Sequence, residues 1–157
     1  MIIEDLSQEA CIAALRKARV GHLACAHENR PYVVPISFMF DAANGKESYL
    51  YGFTTPGQKI EWMRLNPLVC VECDEVTGDD DWTSVIVDGH FYELAYTPQW
   101  ERQLLHTQDL LRQYSTWWQP EGIAHAASVH RNEAQLFTPI FYRVRIERMT
   151  GRRARRE

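Results

Sequence analysis

Between residues 20 and 53, three strand-like runs are separated by gaps too short to hold a crossover, and that spacing restricts how the chain can fold. Val20 to Ala26 is followed, after His27-Glu-Asn-Arg-Pro31, by Tyr32-Val-Val-Pro-Ile-Ser-Phe-Met-Phe40. Asp41-Ala-Ala-Asn-Gly45 then precedes the aromatic run Glu47 to Phe53. A parallel neighbour needs a connection of roughly a dozen residues or more, whereas gaps of about five suit hairpins. Antiparallel pairing follows, with Asn44-Gly45 the strongest turn signal because both residues tolerate positive φ. Pro35 has no N–H to give a ladder, which places it at an edge, a bulge or the mouth of a site.

The remaining runs extend this pattern. Leu68 to Val76 and Trp82 to Leu94 read as a fourth and a fifth strand, with Gly89 marking a bulge or a close backbone approach. Gln135 to Arg148 alternates, with Ile140, Tyr142, Val144 and Ile146 on one side and Arg143, Arg145 and Glu147 on the other, so it reads as a sixth. Residues 5 to 18 form a helix capped by Asp5 or Ser7, with Cys11, Ile12 and Leu15 on its buried face. A second helix runs from Gln58 to Leu65 and ends before Asn66-Pro67. A third starts at Thr97-Pro98 and continues towards Tyr114. Ser115 to Gln135 shows no single period. Six strands joined mainly by tight turns argue for an antiparallel barrel.

With 157 residues, 45% apolar and 24% charged, the chain suits one domain, read here as residues 1–152 followed by a basic tail at 153–157. No run of about 18 apolar residues occurs, and the N-terminus lacks the basic and apolar regions of a secretory signal, so a cytoplasmic protein that crosses no membrane is expected. Four scattered cysteines suggest thiols rather than disulfides, and the Cys70-x-x-Cys73 pair lies in a strand without a second pair to complete a zinc site. Net charge is −4, yet Arg143 to Glu157 holds seven arginines. No aromatic residues interleave them for base stacking, which argues against nucleic acid.

The chemistry-bearing stretch runs from Tyr49 to Pro67, where a strand passes through Thr54-Thr-Pro-Gly57 into a helix opening with Gln58-Lys59. Unpaired N–H groups at a helix N-terminus carry partial positive charge, so one added cation makes an anion grip, and Lys59 supplies it. No nucleophile elbow, P-loop or dinucleotide turn is present. The six histidines show neither metal-ligand spacing nor a carboxylate at a telling interval, and no metal site is expected.

The order of these pieces resembles the pyridoxamine-5'-phosphate-oxidase-like split barrels, in particular the nitroimidazole-reductase-like branch. The resemblance rests on Val20-Gly-His-Leu-Ala24, Pro31-Tyr-Val-Val-Pro-Ile-Ser-Phe38, Gly57-Gln-Lys59 with Asn66-Pro67, Ser84-Val-Ile-Val-Asp-Gly89 and Thr150-Gly-Arg152. It covers about residues 5–152 and is weakest between 96 and 135. What it implies is a mainly β, six-stranded antiparallel split barrel of the FMN-binding type. The chain would be a homodimer with FMN at the subunit interface, acting as a flavin-dependent oxidoreductase on a small molecule. By position, Lys59, Gln58, Thr54 and Thr55 would hold the phosphate. Pro35, Ile36, Ser37 and Phe38 would line the isoalloxazine, and Trp82, Thr83 and Ser84 would lie at the dimer seam.

The chain departs from that family at two places. Gln58 stands where relatives often carry arginine or histidine, leaving Arg64 or Arg143 to make up the charge. The C-terminal arginine-and-histidine motif that holds substrate phosphate in true pyridoxamine phosphate oxidases is missing. No catalytic side chain is identified, which suits chemistry carried by the cofactor. Alternatives on the same barrel are a non-catalytic flavin store, a deazaflavin binder, or a haem protein with His90 or His130 as ligand.

Overall fold

The computed structural model describes residues 1–43, 45–113 and 139–156. In chain order the elements are β1 (Ile2–Asp5), α1 (Gln8–Lys17), β2 (Val20–His27), β3 (Arg30–Ser37), β4 (Met39–Ala43), β5 (Glu47–Thr54), α2 (Gln58–Leu65), β6 (Leu68–Gly78), β7 (Asp81–Glu93), α3 (Glu101–Arg112) and β8 (Ile140–Arg155). Every strand pairing is antiparallel, as the short gaps require. The strands follow the order β3-β2-β6-β7-β8-β5-β4, with β1 added alongside β8. Among the described residues no helix is long and apolar enough to cross a membrane.

The described strands number eight, against an expected six. One extra strand arises because Tyr32 to Phe40 is two strands: β3 pairs with β2, and β4 pairs with β5. The change of partner falls at Phe38, whose ring is buried and whose N–H donates to the Arg19 carbonyl at 3.2 Å. The other is β1, four residues with little strand pattern of their own, which are extended because β8 offers them a ladder from Ile2↔Arg155 to Asp5↔Arg152. That ladder also corrects the expected basic tail, since Arg153 to Arg155 lie within β8. Acidic Glu4 and Asp5 meet basic Arg155 and Arg152, each at 3.3 Å, so the charge asymmetry along the sequence becomes cross-strand pairing. These exposed pairs contribute only about 0–1 kcal/mol each, so the ladder rather than the charge holds the strand.

Helix α1 is capped by Ser7, whose hydroxyl accepts from the Ala10 N–H at 3.2 Å, while Asp5 belongs to β1. Helix α3 begins at Glu101, three residues later than an N-cap at Thr97 and a start at Pro98 suggest, because Thr97 to Trp100 closes as a separate turn. The barrel interior is filled by Leu23, Ile36, Leu50, Val71, Val85, Val87 and Val144, with Cys11 and Leu15 of α1 and Ile60 and Met63 of α2 packed on it. A second cluster, including Met39, Phe53, Leu104, Leu111 and Phe141, seats α3. All four cysteines are free. Cys73 points inwards and Cys70 towards the outer face, as strand alternation requires, so the pair cannot share one ion.

Gly89 lies at the register shift between β7 and β8, and a Cβ there would stand 2.6 Å from the Arg145 carbonyl oxygen. Gly52 makes room for Tyr142: a Cβ would come within 2.7 Å of the phenol oxygen, which is buried without a hydrogen-bond partner among the described residues. Two outcomes follow for denaturant unfolding. Gly52→Ala should destabilise by roughly 1–3 kcal/mol through overpacking. Tyr142→Phe removes an unsatisfied polar atom, so it should be neutral or stabilising and should recover part of that loss in the double variant. A destabilised single Phe variant would show that the hydroxyl is satisfied in solution.

Candidate functional site

β5 ends at Thr54, and Thr55-Pro-Gly57 turns the chain into α2. Gly57 is the N-cap and offers no side chain, so no side-chain bond closes the helix start, whose first amides stay open for an external acceptor. The Gly57 carbonyl takes the N–H groups of Ile60 and Glu61, leaving those of Gln58 and Lys59 outside the helix ladder. Thr54 is buried and its hydroxyl donates to the Thr55 carbonyl at 3.3 Å, so that hydroxyl is already engaged. Gln58 is exposed, and Thr55 and Lys59 are half-buried.

Lys59 makes no ion pair or hydrogen bond among the described residues. Burial pushes the ammonium below the ordinary lysine value, and the neighbouring Cys25 pulls weakly the other way. A desolvated cation without a counter-charge is what an anion site looks like before its ligand arrives. Neither arginine nominated to supplement it does so: Arg64 is held by both carboxylate oxygens of Glu93 at 2.7 Å. Arg143 lies 4.1 Å over the Tyr49 ring with Trp100 on its other flank.

Among the described residues strand β3 pairs only with β2, so its second edge carries backbone groups that no described strand pairs. In an antiparallel ladder alternate residues turn their N–H and C=O towards the partner. Because Phe38 bonds to Arg19 and Ser37 stands opposite Val20, the residues turned away from β2 are Pro31, Val33, Pro35 and Ser37. Both prolines therefore occupy positions where a missing N–H breaks no ladder bond, and Pro35 is at an edge as its chemistry demands. Side chains alternate as well: Pro35 and Ser37 are exposed, whereas Ile36 and Phe38 belong to the core and can serve a ligand only from beneath.

A cavity of about 180 Å³ lies at the Ser37 end of β3, lined by Ser37, Phe38, Phe53 of β5 and Leu111 of α3. Lys59 senses Cys25, which pairs with Tyr32 at the other end of β3. The free edge thus runs from the lysine to the cavity, roughly 17 Å at ~3.4 Å per residue. Trp82, Thr83 and Ser84 are not part of this assembly. They lie on β7, three strands from β3 or about 14 Å at ~4.8 Å per strand. Trp82 and Ser84 line a cavity of about 590 Å³ with Ile86, Arg148, Thr150 and Arg152. Thr83 instead borders a separate cavity beside Cys73 and Asp74.

Sequence intervals concealed two histidine–carboxylate pairs, and the expectation of none is corrected here. His22 Nδ1 lies 3.2 Å from Glu72, and His106 Nε2 lies 2.9 Å from Asp41. The first follows from the register His22↔Glu72 between β2 and β6, which no sequence spacing shows. His130, Trp117-Trp118 and the whole of 115–135 lie outside the described residues.

A family model described as pyridoxamine 5'-phosphate oxidase matches residues 7–153. The chain belongs to that family. The match takes in the turn around Lys59, the free edge of β3 and the Trp82 cavity. The chain is 34% identical over 154 residues to the uncharacterised protein RA0666 of Rhizobium meliloti, covering 98% of this chain and 97% of that one. It is also similar to the crystal structure of an FAD-binding protein from Mesorhizobium loti, with 35% identity, a TM-score of 0.75 and 99% of each chain covered. An FAD-binding protein from Mycobacterium smegmatis shares the fold at 21% identity and a TM-score of 0.66, over 97% of this chain and 100% of its own.

If Lys59 is a desolvated cation awaiting an anion, its titration should reveal it. In the anion-free protein NMR titration of its Cε signal should give a pKa below the ordinary lysine value. Added inorganic phosphate should raise that value, because a nearby negative charge favours the ammonium. A pKa at or above the ordinary lysine value without anion would overturn the reading.

Proposed function

We propose that this member of the pyridoxamine 5'-phosphate oxidase family is a homodimeric flavoprotein that holds FMN along the free edge of β3 and acts as a flavin-dependent oxidoreductase on a small molecule. The observation that carries the reading is Lys59: half-buried, unpaired among the described residues, and set at a helix start whose amides are open. The phosphate would be gripped by the Lys59 ammonium, the free N–H groups of Gln58 and Lys59, and the Thr55 hydroxyl. Gln58 adds hydrogen bonding without charge. The isoalloxazine would lie against Pro35 and Ser37, its polar rim facing the unpaired backbone groups of Val33 and Ser37, with Ile36 and Phe38 as the apolar floor. When bound, the flavin itself supplies the two-electron chemistry, and the protein's part is to bind, orient and exclude water.

Trp82, Thr83 and Ser84 are too far from β3 to join the same flavin within one subunit, so the proposal has them complete the partner's site. The outer sheet face supports a dimer: Val20 is 56% exposed, Val33 60% and Leu68 60%, with Ile86 at 43%, an apolar set that a second copy would cover. The Mesorhizobium loti relative is named for FAD, which carries the FMN moiety within it, so the same grip on the first phosphate serves either cofactor.

Heat release of the cofactor from the purified protein, followed by mass spectrometry, is expected to yield FMN. FAD would correct the cofactor while leaving the site, and a Soret band or a deazaflavin would reject the reading. Lys59→Ala should weaken flavin binding by roughly 1.5–3 kcal/mol, the worth of a hydrogen bond to a charged group. The sign with pH follows from the lowered lysine pKa: affinity is full while Lys59 is protonated and falls as pH rises through that value. Lys59→Arg, charged throughout, should keep its affinity at alkaline pH. Anaerobic reduction by NAD(P)H and reoxidation by an added acceptor test turnover. A yellow protein inert to both would be a flavin store instead.

A further inference from the structure

We propose that His22, Glu72 and Asp74 form a site for a first-row divalent transition ion, of the zinc class, on the outer face of the sheet. The three ligands are set by register. His22 of β2 stands directly opposite Glu72 of β6, and Asp74 lies two residues further along the same strand, so all three project from one face. One donor atom from each comes within 4.8 Å of the other two. Two donors each about 2.1 Å from an ion stand roughly 3.0 Å apart at a right angle and about 3.4 Å apart at a tetrahedral one. The His22 Nδ1 to Glu72 Oε2 separation of 3.2 Å falls between those values.

Electrostatics points to a cation independently of that spacing. Among the described residues neither carboxylate has a lysine or arginine partner, because the nearby cations are engaged elsewhere: Lys17 with Glu75, Arg148 with Asp88 and Arg152 with Asp5. Glu72 is also oriented from behind, since the Ser84 hydroxyl donates to its Oε1 at 3.2 Å and leaves Oε2 turned to His22. Second-shell bonds of this kind fix ligating carboxylates in metal centres. One imidazole with two carboxylates suits zinc or manganese better than calcium or magnesium, which prefer all-oxygen sets. The side chains of His22 and Glu72 are 50% and 32% exposed, so an ion can enter and water can fill its remaining positions.

The site shares Ser84 and the outer face with the proposed dimer seam but none of its three ligands with the Lys59 turn, and its test keeps the two readings separate. Chelator-treated full-length protein, titrated calorimetrically with Zn²⁺ and optically with Co²⁺, should take up one ion per chain. His22→Gln and Asp74→Asn should each lower the affinity by at least ~10-fold with an unchanged circular dichroism spectrum. Lys59→Ala should leave zinc affinity as it was. The proposal is overturned by no saturable uptake up to about 1 mM ion, by affinity indifferent to His22→Gln, or by a cobalt–thiolate band that Cys70→Ser abolishes.

Discussion

The pairing of β8 is the constraint on which the rest of the structure depends. Along its sixteen residues it takes β7 on one side, and β5 and then β1 on the other. The β5 ladder ends at Thr54↔Ile140, so the same hydrogen bonds that close the sheet set where the chain leaves β5 and turns towards α2. The far half of β8 brings Thr150 and Arg152 beside Trp82 and Ser84 and thereby builds the cavity they share. Both candidate regions therefore depend on one ladder, and the bulge at Gly89 lets that ladder bend without losing register on either side.

Against that frame, the turn at Lys59 is an uncompensated element. The interior around it is apolar, with Ile60 and Met63 packed into the core, so the lysine is carried into a half-buried position by its neighbours in the helix. A cation there costs free energy until an anion offsets it. The outer edge of β3 is uncompensated in the same sense, holding backbone groups that no described strand takes up. Proteins usually cover or blunt such edges, and here Pro31 and Pro35 remove two of the donors. A planar ligand with a polar rim and a phosphate tail would satisfy both features together, which is why a flavin suits the geometry better than either feature alone would indicate.

Much of this was legible in the chain. Gaps of five residues between the first strand runs required hairpins, Pro35 announced an edge, and Gly89 announced the bulge. Thr54 to Lys59 read as a strand-to-helix turn, and it is one. The extra strands were not legible, because Ile2–Asp5 is extended only by virtue of β8, and because nothing local to Phe38 shows that the chain changes partner there. The apparent basic tail misled for the same reason: Arg155, like Arg152 just before the tail, has an acidic partner about 150 positions away, at Glu4 and Asp5 respectively.

The sequence by itself determined the antiparallel class, the open helix start with its lysine, and the family, since hairpin spacing, turn chemistry and helix capping are local properties of neighbouring residues. Only the tertiary structure decided that Lys59 is desolvated and unpaired, that Arg64 and Arg143 are occupied elsewhere, and that Trp82 and Ser84 stand three strands from Pro35. It alone set His22 against Glu72, fifty positions apart. The reason is physical: burial, charge pairing and cross-strand register are relations between residues distant in the chain, and they acquire values only when the sheet has closed.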